Sequence, residues 1–199
     1  MAKKLLLATR NRHKKQELGV MLEGLDIEVL TLDEVPELPE VVEDGASFSE
    51  NAEKKALVTA RASGFICLAD DSGLEVKALN GQPGVYSARF AGPQADDRMN
   101  NEKLVELLKE IDPAQRAARF VCVIAIADPR GKVQVVEGEC PGSITLNARG
   151  SAGFGYDPLF IPDGYQQTFA EIGSEEKNQI SHRGQALRKA LPLIRDFVL

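Results

Sequence analysis

Residues 65–73, Phe-Ile-Cys-Leu-Ala-Asp-Asp-Ser-Gly, join a run of apolar side chains to two adjacent carboxylates. The apolar half predicts a short buried strand, and the change to Asp70 and Asp71 followed by Ser-Gly predicts that the strand ends there in a tight turn. Carboxylates at the carboxyl end of a buried strand lie where α/β folds place their ligand sites. The alternative is that both aspartates only cap the turn, which is a common role of Asp.

Helices and strands alternate in the first half of the chain, and hairpins dominate the middle. Hydrophobic periodicity predicts strands over residues 3–9, 27–32, 65–69, 74–79, 119–127, 132–139 and 143–148, and helices over 12–25, 48–63, 96–111 and 182–198. A capping box of Ser47 and Glu50 starts the second helix, and Gly64 closes it. We therefore expect an α/β fold with a mixed sheet flanked by helices, compatible with two lobes around a cleft, in one domain over residues 1–199.

Composition argues against several classes of protein. The net charge is −6 and the pI is near 5.1, which disfavours non-specific binding to nucleic acid or membranes. No apolar stretch approaches the roughly 18–20 residues that span a bilayer. Three cysteines without a C-x-x-C spacing disfavour a disulfide framework or a zinc site. The apolar run at residues 5–8 is too short for a signal peptide, so we expect a first strand and a cytoplasmic protein.

Residues 8–14, Ala-Thr-Arg-Asn-Arg-His-Lys, connect the first strand to a helix N-terminus. Free backbone N–H groups and the helix dipole make such a junction favourable for an anion. Thr9 and Asn11 can donate further hydrogen bonds, and Lys14 adds a full positive charge. The segment is not a Walker A loop, which requires G-x-x-x-x-G-K-[ST]. The alternative interpretation is a polar helix cap with a solvated basic face.

Two later segments suit a nucleotide. Residues 153–158, Gly-Phe-Gly-Tyr-Asp-Pro, alternate aromatic side chains with glycines, so an aromatic face can lie against a base while the backbone approaches closely. An ordinary turn with core aromatics would show the same pattern. Residues 181–184, Ser-His-Arg-Gly, open the last helix, and Arg183 with Lys177 can donate to a phosphate or a carbonyl oxygen. Adjacent Ser and His do not form a nucleophilic triad.

Six motifs in this order resemble the inosine triphosphate pyrophosphatase family, whose bacterial members are dITP/XTP pyrophosphatases. The matching segments are residues 8–11 with Lys14, Phe48-x-Glu50-Asn51-Ala52 with Lys55-Ala56, and residues 69–74, 83–89, 153–158 and 181–184. The resemblance extends from residue 5 to about residue 190. One departure is Arg10, where many relatives carry glycine.

The resemblance implies an elongated α/β fold with two lobes around a cleft, a homodimer, and Mg²⁺-dependent cleavage of ITP, dITP and XTP to the monophosphate and pyrophosphate. Glu43 and Asp71 would hold Mg²⁺, whose preferred ligands are oxygens. Asp71 would also accept the proton of the attacking water, with Asp70 left open as an alternative base. The implied substrate-binding residues are Thr9, Arg10, Asn11, Arg12, His13, Lys14, Lys55, Ser72, Phe154, Gly155, Tyr156, Asp157, Lys177, His182 and Arg183.

Within that set, the triphosphate would be held by Lys14, Lys55 and Lys177, and the base would stack on Phe154. The edge of the base would be read by Tyr156, Asp157, His182 and Arg183. Two other functions remain open. A nucleotide pyrophosphatase acting on modified pyrimidine nucleotides would use the same chemistry with a different base, and a non-catalytic nucleotide-binding regulator would need no metal carboxylates. The adjacent Asp70 and Asp71 argue against the regulator.

Overall fold

The structure is a computed structural model that describes residues 3–10, 12–35 and 37–198. The strands in this part of the chain are β1 Lys3–Leu7, β2 Ile27–Thr31, β3 Ile66–Val76, β4 Ala117–Ala127, β5 Val133–Ile144 and β6 Phe160–Pro162. The α-helices are α1 Arg12–Met21, α2 Phe48–Ser63, α3 Asp97–Leu108, α4 Ser174–Ile180 and α5 His182–Val198. Short 3₁₀ turns lie between some of them. Mixed α/β composition is thus confirmed.

The six strands form one sheet in the order β2-β1-β3-β4-β5-β6. Strand β1 runs parallel to both β2 and β3, and Leu5 is in register with Val29 on one side and Ile66 on the other. Strand β6 is antiparallel to β5, so the sheet is mixed, as predicted. A turn over residues 128–132, closed by the Asp128 N–H donating to the Lys132 carbonyl, joins β4 to β5 and confirms the predicted hairpin.

Strand β3 continues through the two aspartates, and the predicted turn at residues 72–73 is wrong. The strand is unbroken from Ile66 to Val76, and only residues 77–79 leave it, in a 3₁₀ turn. Leu74 and Val76 are fully buried, and the Leu74 N–H donates to Ser87 Oγ at 2.9 Å. The Ser-Gly pair stays extended because Leu74 and Val76 are buried and because Leu74 binds the hydroxyl of the distant Ser87. The aspartates therefore lie inside a strand, where neighbours point to opposite faces.

The chain forms two compact units. The first comprises Met1–Asp71, Cys122–Glu137 and Ala186–Leu199, and the second Ser72–Val121 and Gly138–Gln185. The core of the first contains Leu5, Leu68 and Ile124 with the inner face of α5, and the core of the second contains Phe120, Phe160 and Phe169. That the chain behaves as one folding domain stays a prediction. Among the described residues no helix is both long and apolar enough to cross a membrane.

Helix α2 begins and ends as its sequence predicts. Ser47 Oγ accepts the Glu50 N–H at 3.2 Å, and the Glu50 carboxylate accepts the Ala46 N–H at 2.8 Å. Gly64 ends the helix with a left-handed φ of 74°, which costs a glycine little. Because residues four apart share one face of a helix, Asn51 and Lys55 project on the same side of α2. This face carries the contacts described next.

Candidate functional site

Asp70 and Asp71 have different surroundings. Asp70 is buried, and its Oδ1 and Oδ2 each lie 2.8 Å from the Nζ of Lys14. Asp71 is half-buried, and its Oδ2 accepts a hydrogen bond of 3.0 Å from Asn51 Nδ2. The ion pair holds one carboxylate and a neutral amide orients the other. The two adjacent carboxylates on opposite faces of β3 therefore bind different partners.

Part of the basic segment after β1 lies against strand β3. The Ala8 N–H donates to the Leu68 carbonyl at 2.8 Å, which holds the start of this segment against β3. Arg10 is exposed and forms an ion pair of 3.4 Å with Asp33. Thr9 is half-buried beside it. Asn11 and the side chains of Arg12 and His13 lie outside the described part of the chain, so their binding roles stay predictions.

The acidic loop after β2 is bound to α2 by lysines. Lys55 Nζ donates to Glu43 Oε1 at 2.7 Å, and the Lys55 side chain is only 14% exposed. Lys54 donates to Asp44, and this hydrogen bond lowers the pKa of that carboxyl. Arg10, Glu43 and Lys55 all line one pocket of about 360 Å³ in the first unit. The structure therefore brings together two predicted substrate-binding cations, Arg10 and Lys55, and one predicted metal ligand.

The first unit offers a donor set that fits Mg²⁺ bound together with phosphates. No group of three or more His, Cys, Asp or Glu side chains that could hold a metal occurs among the described residues. Mg²⁺ does not require one, because it is usually held by one or two carboxylates with water and substrate phosphates. Asn51 joins the elements that carry the two candidates, since it contacts both Asp71 and the backbone of Gly45, two residues after Glu43.

The second unit presents an exposed aromatic ring close to two cations. The Phe154 side chain is 54% exposed. Lys177 Nζ lies 5.7 Å and Arg183 Cζ 5.6 Å from the centroid of its ring, within the range of cation–π attraction. Arg183 is itself buried, and its Nη2 donates to Ser72 Oγ at 3.3 Å. An exposed ring flanked by hydrogen-bond donors suits a flat base that carries carbonyl oxygens.

Asp157 holds this aromatic site in place through hydrogen bonds. It is buried, and its Oδ2 accepts hydrogen bonds from Lys177 Nζ at 2.5 Å and from the Phe154 N–H at 2.9 Å. One carboxylate therefore positions both the loop that carries the ring and the lysine beside it. The prediction that Asp157 itself reads the base stays a prediction.

Three other predicted residues are held within the second unit. The buried Tyr156 hydroxyl donates to the Ser87 carbonyl at 2.8 Å, and burial raises the pKa of this phenol. The His182 ring stacks on Phe120 at 4.7 Å between centroids, with 12° between the planes. The Gly155 N–H donates to Asp97 Oδ2 on helix α3. Their assignment to base recognition stays a prediction.

Several contacts that shape the site were not anticipated from the sequence. Asn51, Ser87, Asp97 and Asn101 had no assigned role, yet each binds a residue of a predicted motif. Asn51 contacts Asp71 across 20 positions, and Asp97 contacts Gly155 across 58. No local spacing signals these contacts, because the partners in each lie at least 20 positions apart.

A family model described as the Ham1 family matches residues 5–193. The chain belongs to the Ham1 family. A Desulforamulus reducens protein named dITP/XTP pyrophosphatase is 53% identical over 96% of this chain and 95% of its own length. A Geobacter sulfurreducens protein of the same name is 49% identical over 92% of each chain. The resemblance drawn from the six motifs is confirmed.

Solved structures give the same result for this Ham1-family chain. A HAM1 protein from Coxiella burnetii superposes with a TM-score of 0.91 at 39% identity, covering 98% of this chain and 99% of that one. A Mycobacterium abscessus structure named nucleoside-triphosphatase / dITP/XTP pyrophosphatase has a TM-score of 0.80 at 46% identity, covering 96% and 99%. The predicted fold class is therefore confirmed.

Proposed function

We propose that this Ham1-family chain hydrolyses the non-standard purine nucleoside triphosphates ITP, dITP and XTP to the monophosphate and pyrophosphate. The observation that carries the proposal is the 53% identity, over 96% of this chain, with a protein named dITP/XTP pyrophosphatase. The two groups of side chains suit two parts of such a substrate. Cations and carboxylates in the first unit suit the triphosphate, and the exposed aromatic face in the second suits the base.

Phosphate binding falls to the cations of the first unit. Lys14 and Lys55 are part-buried lysines that each hold a carboxylate at 2.7–2.8 Å, so both are positioned at fixed points. Phosphate oxygens can share these ammonium groups, since each carries three donors. Glu43 and Asp71 would hold Mg²⁺. The ion, when bound, neutralises charge on the phosphates and polarises them, which is the main requirement of phosphoryl transfer.

Asp71 is the better candidate for the proton acceptor. Both oxygens of Asp70 contact the Lys14 ammonium, and the Asp70 side chain is only 7% exposed. Asp71 is more exposed, and its Oδ2 accepts a hydrogen bond from the neutral amide of Asn51. The more exposed of the two carboxylates can be reached more readily by an attacking water, whose proton it would accept. Attack at the α-phosphorus then releases pyrophosphate.

Base selection falls to Arg183 beside Phe154. Position 6 of hypoxanthine and xanthine is a carbonyl acceptor, whereas in adenine it is an amino donor. A buried guanidinium aimed at this position gains a hydrogen bond from the first and is left facing a donor by the second. Arg183 is held for such a role by its hydrogen bond to Ser72 and by its position 5.6 Å from the Phe154 ring.

Pyrophosphate release from ITP, dITP, XTP, GTP, ATP and dUTP in the presence of Mg²⁺ tests the proposal. We expect kcat/KM for the first three to exceed that for ATP by about 10³-fold or more. A preference for dUTP or other pyrimidine nucleotides would instead support the pyrimidine alternative. Binding of ITP with no pyrophosphate release would support the non-catalytic regulator. Either outcome contradicts the proposed function.

Replacement of Asp71 by Asn tests its chemical role. We expect kcat for dITP to fall about 10²–10⁴-fold, the range for loss of a general base. Asp44→Asn is the matched control, because Asp44 is an exposed carboxylate of the acidic loop that contacts only Lys54 among the ion pairs described. Turnover of a folded Asp71→Asn protein at the wild-type rate would refute the assignment.

Two further proposals come from the sequence analysis. We expect a homodimer, which analytical ultracentrifugation of the purified protein measures directly. We expect the protein in the cytoplasm, which fractionation of the source cells would test. A monomer at micromolar concentration would contradict the first expectation, and recovery from the culture medium or the membrane fraction would contradict the second.

A further inference from the structure

Asn51 is a buried side chain whose amide is bound at both ends. It lies in the first turn of α2 and is 1% exposed. Its Oδ1 accepts the Gly45 N–H at 2.7 Å, and its Nδ2 donates to Asp71 Oδ2 at 3.0 Å. These partners fix the orientation of the amide, because a backbone N–H can only donate and a carboxylate only accepts. One side chain thus joins the acidic loop to strand β3.

The loop reaches Asn51 only because residue 45 is glycine. A Cβ on Gly45 would lie 2.7 Å from Asn51 Oδ1 and 2.8 Å from Glu50 Cβ, closer than real side chains approach. Glu43, two residues earlier, is held by Lys55, one turn further along the same face of α2. Helix α2 therefore holds the acidic loop at Gly45 as well as at Glu43, and the Asn51 side chain that binds Gly45 also binds Asp71.

We propose that Asn51 is a positioning residue that sets the orientation of Asp71 relative to the loop carrying Glu43. This inference rests on the proposed function, in which those two carboxylates hold Mg²⁺. Buried hydrogen bonds to a metal-binding carboxylate fix its orientation, and their loss typically costs 10–100-fold in metal affinity or activity. Asn51 would act through Asp71, because the two ends of its buried amide bind the Gly45 N–H and Asp71.

The competing explanation is that Asn51 only fastens the loop to the helix. The chain offers a matched control for that role in Asn100, which is also a buried helical asparagine, 3% exposed. Asn100 Oδ1 accepts the Ala91 N–H at 2.8 Å, and its Nδ2 donates to the Ala88 carbonyl at 3.2 Å. The Asn100 amide fastens a loop in the same way, but its Nδ2 donates to a backbone carbonyl and not to a carboxylate.

The test compares Asn51→Ala, Asn100→Ala and the wild-type chain. The two variants are expected to lose similar amounts of thermal stability. In Asn51→Ala the affinity for Mn²⁺ alone, measured by electron paramagnetic resonance, should fall about 10–100-fold, and the Mg²⁺ concentration for half-maximal dITP hydrolysis should rise by a similar factor. In Asn100→Ala both quantities should change less than threefold. A partly unfolded sample lowers the amount of active protein without shifting either midpoint.

Asn51→Asp distinguishes the hydrogen bond to Gly45 from the hydrogen bond to Asp71. It also tests the inference if Asn51→Ala does not fold. It retains an oxygen for the Gly45 N–H but places a second carboxylate against Asp71 Oδ2. We expect kcat for dITP at saturating Mg²⁺ to fall at least 10-fold. A kcat within threefold of wild type, or unchanged metal midpoints in Asn51→Ala, would overturn the inference. If the wild-type chain does not hydrolyse dITP, the proposed function fails, and Mn²⁺ binding still decides the role of Asn51.

Discussion

Replacement of Gly153 by Ala should disrupt the aromatic site through one carboxylate. Gly153 has a φ of 79°, in the left-handed region that alanine adopts at a cost of about 1–2 kcal/mol. A Cβ at this position would overlap Asp157 Oδ2 and lie 3.1 Å from Lys177 Nζ. Asp157 has little freedom to withdraw, because it is buried and its Oδ2 binds both Lys177 and the Phe154 N–H.

The magnitude follows from a comparison within the same loop. Gly155 also has a left-handed φ, 63°, but nothing lies within 4 Å of a Cβ built there. Gly155→Ala should therefore show the conformational cost alone, about 1–2 kcal/mol. Gly153→Ala adds the cost of forcing an extra carbon into a packed site, about 1–3 kcal/mol. Gly153→Ala should therefore be less stable than Gly155→Ala by that added amount.

Urea unfolding monitored by circular dichroism measures both free energies of unfolding. The comparison is valid where the m-values of the two variants agree with that of the wild-type chain, since a change in m signals an altered denatured or native state or a departure from two-state unfolding. If Gly153→Ala and Gly155→Ala lose the same stability within about 0.5 kcal/mol, Asp157 is not held in place as described. The organising role given to this carboxylate would then be wrong.

Four further results are expected. Exhaustive treatment with EDTA should abolish dITP hydrolysis and Mg²⁺ should restore it, whereas full activity after chelation would exclude a metal role for the carboxylates. Arg183→Ala should lower kcat/KM for ITP steeply and for ATP little, and an unchanged ratio of the two would exclude base reading by this arginine. Hydrogen bonds from Lys15 and from the N–H and hydroxyl of Thr31 lower the pKa of Glu34 from 4.5 to about 2. Because the pKa of Glu34 is lower in the folded than in the unfolded chain, the ionised carboxylate stabilises the fold fully above pH 4.5, and this stabilisation is lost as the pH falls towards 2. Glu34→Gln should therefore flatten the dependence of the free energy of unfolding on pH in that range. Tyr156→Phe removes a buried donor from the Ser87 carbonyl and should cost about 1–3 kcal/mol in urea unfolding, and a loss below about 0.5 kcal/mol would contradict this contact.

Local features of the fold were predicted where neighbouring residues alone decide them. The capping residues Ser47 and Gly64 lie at the two ends of α2, as expected. The connection over residues 128–132 joins two neighbouring strands, also as expected. In each case the deciding hydrogen bonds join residues within a few positions, so the sequence window contains both partners. Six motifs in register were also sufficient to identify the family.

The tertiary structure decided what depends on partners far along the chain. The Ser-Gly pair at residues 72–73 carries a local turn signal, yet it is extended because Leu74 is buried and bonds to Ser87, 13 positions away. The contacts of Asn51 with Asp71 and of Asp97 with Gly155 leave no periodicity in the sequence, because packing creates them. The sequence by itself determined which residue types form the site. Folding determined which of them are neighbours, since long-range burial outweighs local backbone preference.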